Sequence, residues 1–211
     1  MKPQTSRLTI FAIVACGVLA VAFVATAYWQ RDVHSSKLSD AESHEAIAAS
    51  VQHGKAEGGL AAELLRQYVE TGDTTLLVEM QVHTEAGVQD LTNAVSAAGG
   101  DSNGFLDQGT QFVQAAGQVI ALRQGGDVQG ATGALEQLAP SFETFIATQD
   151  EFIASEHAQA SADRSDASQA NTNALWLAIT AAALACCAVL GLFVVARRGP
   201  SSTSLDAVPT A

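Results

Sequence analysis

Two long runs of apolar residues stand near the ends of the chain, and a polar region separates them. Leu8 to Trp29 gives 22 consecutive positions without a charged residue, and Ala174 to Ala196 gives 23. Each run exceeds the roughly 20 residues with which a helix crosses the hydrocarbon core of a bilayer. Aromatic residues, which favour the membrane interface, close the first run at Tyr28 and open the second at Trp176. The pattern predicts two transmembrane helices, over 8–29 and 174–196.

Basic residues lie on the far side of each apolar run, namely Lys2, Arg7, Arg197 and Arg198. Positive charge near a transmembrane helix favours the cytoplasmic side. We therefore predict a two-pass protein of the plasma (inner) membrane with cytoplasmic segments 1–7 and 197–211. Residues 30–173 are then extracytoplasmic.

The first apolar run has two alternatives to an uncleaved anchor. Ala25-Thr26-Ala27 has the A-x-A form of a signal-peptidase site behind a basic N-terminal region. The run is longer than the roughly 7 to 15 apolar residues of a typical signal peptide, which favours an intact span. Ile13 to Cys16 resembles a lipoprotein modification motif, but 13 more uncharged residues follow Cys16. The prediction is two uncleaved spans, with cleavage after residue 27 as the alternative.

The central region has the composition of helices, because Ala, Leu, Glu and Gln are frequent and runs of β-branched residues are lacking. Glycine-rich breaks at 71–73, 99–104 and 125–127 divide it. The predicted helices cover 30–71, 75–98, 105–124 and 128–173.

Stripes of small and apolar residues run along the first and fourth predicted helices at spacings of three and four. On the first helix they are Ile47, Val51, Gly54, Gly58, Ala61, Leu65 and Tyr68. On the fourth they are Leu135, Leu138, Phe142, Phe145, Gln149 and Phe152. Because each stripe needs an apolar partner, the two faces should meet in an all-α, up-down-up-down four-helix bundle anchored by two transmembrane helices. Within the first stripe, Gly54 and Gly58 favour close helix contact, with a ligand cavity as the alternative.

Charge and motif content exclude several functions. The formal net charge is −12, and residues 30–173 hold six basic against 21 acidic residues. Such an acidic chain lacks the basic surface that nucleic acids require. Cys16, Cys186 and Cys187 all lie in the apolar runs, so the central region has no cysteine for a disulfide or a metal, and we predict no cofactor and no metal. The chain has no P-loop, nucleophile elbow, dinucleotide fingerprint or zinc-protease motif, and we predict a non-enzyme.

Two turn motifs carry a resemblance to a known family. The first is Tyr68-x-x-Thr71-Gly72-Asp73, and the second is Gly125-Gly126-Asp127 followed by Ala131, Leu135 and Leu138. With the two spans and the long outer helices, they resemble the extracytoplasmic four-helix-bundle sensor module of bacterial methyl-accepting chemotaxis receptors and sensor histidine kinases. The resemblance covers about residues 8–196. It implies a sensory function in signal transduction.

The chain departs from that family after the second span. Family members continue into cytoplasmic relay and output domains, whereas Arg197 to Ala211 is 15 residues long and contains the helix-stopping pair Gly199-Pro200. The expectation is a sensory-input protein without its own output domain, which signals through a membrane receptor or kinase. A polar stalk at 157–173 also predicts a homodimer. The competing expectation is a structural or accessory subunit that docks on another membrane complex.

Two groups of residues are candidate sites. Arg66 and Arg123 lie at the same predicted level, where they could clamp the carboxylate of a small-molecule ligand as arginines do in amino-acid-sensing relatives. The competing interpretation is a solvated Arg66 and an Arg123 that compensates its helix dipole. Extension of the two stripes by heptads brings His44 opposite Glu156, with His157 adjacent, and this group could take a proton or a divalent metal. The alternative is a weak pair in a solvated stalk.

Overall fold

Four α-helices account for nearly all of the chain in a computed structural model, which describes residues 4–100 and 104–197. They are α1 (Gln4–Thr71), α2 (Thr75–Ala97), α3 (Phe105–Gln124) and α4 (Val128–Arg197). These ranges contain no strand, so the predicted all-α class is confirmed. The helices end at the three glycine-rich breaks. The predicted cytoplasmic tail from residue 198 onward and residues 1–3 lie outside the described residues.

The chain forms two compact units, and α1 and α4 contribute to both. One unit is Lys37–Ser165, and the other combines Met1–Ser36 with Asp166–Ala211. We refer to them below as the central unit and the terminal unit.

The central unit contains two apolar clusters. Side chains of all four helices build the first, which contains Ile47, Val51, Leu91, Ala94, Val95, Phe105, Phe145 and Phe152. Leu65, Val69, Ala116, Val119, Ala131 and Leu138 form the second, against which Met80 of α2 packs. The α1 and α4 stripes predicted from the sequence therefore meet, because the first cluster joins Ile47 and Val51 to Phe145 and Phe152. Phe105 and Phe152 also stack edge to face, with ring centroids 5.0 Å apart.

The turn between α1 and α2 depends on a glycine and an aspartate. Gly72 has a φ of +76°, a left-handed conformation that costs glycine little because it has no Cβ. The Gly72 amide donates a hydrogen bond to the carbonyl oxygen of Tyr68 at 2.8 Å, and α1 ends one residue before it, at Thr71. The Asp73 carboxylate then accepts from the amide and the hydroxyl of Thr75, at 2.9 and 2.8 Å. These hydrogen bonds lower the pKa of Asp73 and satisfy a donor at the start of α2.

Asp127 starts α4 in a similar way. Its carboxylate accepts from the amide of Gly130 at 2.8 Å. A Cβ at position 130 would lie close to that carboxylate, so a larger residue there would have to shift the Asp127 side chain. Both turn motifs of the sequence analysis are thus helix-capping devices.

Helices α1 and α2 approach each other closely where two glycines face each other. A Cβ built on Gly54 would lie 3.1 Å from the carbonyl oxygen of Gly87, and a Cβ on Gly87 would lie 3.1 Å from the carbonyl oxygen of Gly54. Close contact at Gly54 therefore agrees with the sequence interpretation. A Cβ on Gly58 would meet nothing within 4 Å.

The terminal unit exposes large apolar side chains. Val14, Val18, Val21, Leu175 and Val189 are all more than half exposed. Helices α1 and α4 each contain an 18-residue window apolar enough to cross a membrane, with mean hydropathy of 1.8 and 2.5. The buried share is 0% for the window in α1 and 6% for the window in α4. By length and composition they are two candidate membrane spans.

Candidate functional site

A histidine–carboxylate pair joins α1 and α4 in the central unit. The Nδ1 atom of His44 lies 2.7 Å from Oε2 of Glu156. Glu156 is only 5% exposed, whereas the His44 side chain is 26% exposed. The two residues continue the α1 and α4 stripes, which is why heptad extension places them opposite each other. When Nδ1 of His44 carries a proton, it donates to the Glu156 carboxyl group, and this hydrogen bond offsets the cost of burying that group.

Two further charged residues complete this polar cluster. The Nε2 atom of His44 lies 3.7 Å from Oδ2 of Asp163, and Nζ of Lys37 donates to Oδ1 of Asp163 at 2.8 Å. A groove of about 380 Å³ lies beside them, lined by Lys37, Asp40, Ser43, His44, Gln159, Ala162 and Asp163. The groove gives solvent access to a cluster whose deepest member, Glu156, is buried. We call these four residues the His44 cluster: Lys37, His44, Glu156 and Asp163.

His157, the third predicted member of the site, is exposed and lies beside Glu45. Among the described residues, no group of three or more His, Cys, Asp or Glu side chains is arranged to hold a metal ion.

Two more ion pairs connect α1 to α4, one formed by sequence neighbours of His44 and Asp163 and one nearer the turns. Lys55 donates to Asp150 at 2.5 Å, and Arg164 contacts Glu45 at 2.5 Å. The Arg164 hydrogen bond lowers the pKa of Glu45. Such exposed pairs contribute little to stability individually. Together with the His44 cluster they align charged groups along one helix interface.

Arg66 lies on the exposed side of α1, where two carboxylates of the same helix hold it. Its guanidinium donates to Glu63 at 2.7 and 2.9 Å and to Glu70 at 2.5 Å. The Arg66 hydrogen bonds lower the pKa of Glu63 to about 2. Arg66 also lines a groove of about 310 Å³, whose other residues include Gly59, Ala62, Leu65, Phe112, Leu135 and Phe142. A ligand carboxylate at Arg66 would compete with Glu63 and Glu70.

Arg123 connects the end of α3 to the end of α1. Its Nε donates to the carbonyl oxygen of Val69 at 2.9 Å, in the last turn of α1. A Cβ on Gly72 would lie 2.5 Å from a terminal nitrogen of Arg123. The guanidinium therefore satisfies an unpaired carbonyl of another helix and does not line the groove beside Arg66. The structure gives the two arginines separate partners, and joint ligand binding by them stays a prediction.

The sequence analysis missed a second histidine–carboxylate cluster, between α1 and α2. His53 Nδ1 lies 2.6 Å from Oδ2 of Asp90, and His83 Nδ1 lies 2.5 Å from Oε2 of Glu57. The Asp90 hydrogen bond raises the pKa of His53. Both pairs lie beside the Gly54–Gly87 contact. The spacing of His53 and Glu57 on one helix face was visible in the sequence, but their partners on α2 were not.

Gln149 is the second feature that sequence analysis left unassigned. It is 0% exposed, between Phe145 and Phe152 on α4. Neither its amide nitrogen nor its amide oxygen has a hydrogen-bond partner among the described residues. The stripe pattern located this residue in the core but could not show that its amide is unsatisfied.

Comparison with protein-family models, curated proteins and solved structures gives no match for this chain. The resemblance to chemoreceptor and sensor-kinase modules therefore remains a prediction from the turn motifs and the helix pattern.

Proposed function

We propose that this chain is a membrane-anchored sensory-input protein. Residues 30–173 form an extracytoplasmic, up-down-up-down four-helix bundle of the chemoreceptor type. Residues 8–29 and 174–196 cross the plasma membrane, with both termini in the cytoplasm. The bundle receives a signal without catalysing a reaction and transmits it through a membrane receptor or kinase partner.

The observation that carries this proposal is the His44–Glu156 pair at the interface of α1 and α4. These two helices also contain the apolar windows, so a change at the pair acts on the helices that would enter the membrane. Removal of His44 would leave the buried Glu156 carboxyl group without its hydrogen-bond partner on α1. Loss of this contact would change the relative free energies of two arrangements of α1 and α4, and therefore their populations.

The proposed stimulus at this site is a proton, delivered through the adjacent groove. Gain or loss of a proton by the His44 cluster changes the attraction between α1 and α4. The helices then shift by a small distance along their contact, as helices do in known switching proteins. A small carboxylate ligand in the groove beside Arg66 is a second proposed input on the same helix pair, and it would have to displace Glu63 or Glu70 from the guanidinium.

Hydrogen exchange of the full-length chain, in detergent and across about pH 5 to 8, tests the proton response. We expect the protection of α1 around His44, measured relative to the intrinsic exchange rate at each pH, to depend on pH in the wild type, and we expect Glu156→Gln to remove most of that dependence. Glu136→Gln is the matched control, because Glu136 is exposed on the same helix. Equal pH dependence in wild type and Glu156→Gln would refute the assignment of Glu156.

Affinity purification from native membranes in a gentle detergent tests the sensory function. Stoichiometric recovery of a receptor or kinase, from a chain with its first span intact, is the expected result. Recovery of a transporter or cell-wall complex would instead support an accessory subunit. Recovery of a homodimer without other proteins would mean that the signal is transmitted within a pair of identical chains. Ligand screening with small carboxylates would then follow.

A further inference from the structure

A groove of about 670 Å³ lies between α1 and α4 within the terminal unit. It is lined by Val24, Ala27, Tyr28, Arg31, His34, Asn171, Ala174, Leu175 and Ala178. On both helices the apolar lining residues belong to the apolar run, and Arg31, His34 and Asn171 lie beyond its end. The groove therefore changes from apolar to polar along its length, at the position where the sequence predicts the membrane interface.

Arg31 differs from the other cations of the central region. Lys37, Lys55, Arg66 and Arg164 contact carboxylates, and Arg123 donates to a backbone carbonyl. Within the described part of the chain, Arg31 has no hydrogen bond or ion pair, although Asp32 is its neighbour in sequence. In a region with 21 acidic residues, a cation that faces a groove without a carboxylate has its positive charge available for an anion.

His34 holds the polar end of the groove together. Its Nδ1 lies 2.8 Å from the carbonyl oxygen of Ala167 on α4. This hydrogen bond fixes the ring between the two helices and leaves Nε2 as the other polar atom. The hydroxyl of Tyr28 and the amide of Asn171 add hydrogen-bond donors to the same lining.

We propose that this groove binds an anionic phospholipid, and the proposal rests on the membrane anchoring proposed above. The lipid phosphate meets Arg31, whose planar fork suits phosphate oxygens, together with Tyr28 and Asn171. An acyl chain then lies along Val24, Leu175 and Ala178. Basic pockets between transmembrane helices bind anionic head groups on the cytoplasmic or matrix side of membranes, and this groove would offer one arginine to a head group at the outer face.

Lipid retention by the full-length chain tests the proposal. The protein is reconstituted in phosphatidylcholine nanodiscs that contain a minor fraction of phosphatidylglycerol, then extracted and analysed by native mass spectrometry. We expect the wild type to retain phosphatidylglycerol in preference to phosphatidylcholine. One lost interfacial cation weakens anionic lipid binding about fivefold, so Arg31→Gln should reduce the preference by about that factor. Lys55→Gln is the control and should keep the wild-type preference.

Three results would overturn the lipid assignment. The first is equal retention of both lipids by the wild type, and the second is an unchanged preference in Arg31→Gln. The third is displacement of the bound lipid by millimolar inorganic phosphate, which would assign the site to free phosphate.

An alkaline wash of the membranes separates this inference from the proposed function. A wild-type chain that stays in the membrane but shows no lipid preference contradicts only the lipid site. A chain that the wash releases contradicts membrane anchoring and the lipid site together.

Discussion

The buried amide of Gln149 gives a quantitative test of the packing. Replacement of Gln149 by Met keeps the length of the side chain and removes both unpartnered polar atoms. Burial of an amide without a hydrogen bond costs about 1–3 kcal/mol in proteins. Because the flanking residues Phe145 and Phe152 belong to the apolar cluster, a thioether at this position contacts apolar neighbours. We expect Gln149→Met to stabilise the chain by about 1–3 kcal/mol, or about 5- to 150-fold in the folding equilibrium.

Chemical denaturation of the full-length chain in a mild detergent, followed by far-UV circular dichroism, measures this change. Gln149→Leu should shift the midpoint in the same direction, since it also removes the polar atoms. Gln137→Met is the matched control, because Gln137 is exposed on the same helix, and it should change stability by less than about 0.5 kcal/mol. Destabilisation by both Gln149 variants would refute the reasoning, because it would mean that the amide has partners in the native protein.

Further predictions concern the contact between α1 and α2. Gly54→Ala should destabilise the chain by about 1–3 kcal/mol, because its Cβ would press on the Gly87 carbonyl. Gly58→Ala has open space around its Cβ and should stabilise the chain by up to about 1 kcal/mol through helix propensity. Equal effects of the two variants on thermal unfolding would contradict the Gly54–Gly87 contact. The raised pKa of His53 means that its bond to Asp90 stabilises the fold fully below the ordinary pKa of 6.5 and loses that effect as pH rises through the raised pKa. The stability difference between wild type and His53→Gln should therefore be largest in acid and vanish in alkali, and Asp90→Asn should abolish that pH dependence.

Much of the local structure was predictable because it depends on residues close in sequence. A glycine with positive φ ends α1 at Gly72, the Asp73 carboxylate accepts from Thr75 at the start of α2, and the Asp127 carboxylate caps α4. The helix boundaries agree with the glycine-rich breaks for this reason. The apolar windows of α1 and α4 are likewise a property of composition along a single segment.

The His44–Glu156 contact shows how far a heptad pattern extends. Both residues continue regular stripes on helices whose apolar faces must meet, so their register follows from Ile47 and Phe152. The sequence analysis traced no stripe on α2, although Gly87, Leu91 and Ala94 are buried at spacings of four and three, so the partnership of His53 with Asp90 was not predicted. The register of α2 depends on the Gly54–Gly87 approach, which only the packed helices define.

Arg66 and Arg123 also show that the sequence did not predict contacts between distant side chains. Sequence position placed Arg66 and Arg123 near the ends of helices, and both are there. Side-chain partners, however, depend on which helix ends are neighbours in space. Arg66 binds two carboxylates on its own helix, whereas Arg123 donates to the Val69 carbonyl in the last turn of α1. By itself the sequence determined helices, turns and apolar faces, because these follow from short-range periodicity and backbone conformation. Only the tertiary structure decided which charges are compensated, because that compensation depends on distances between helices far apart in the chain.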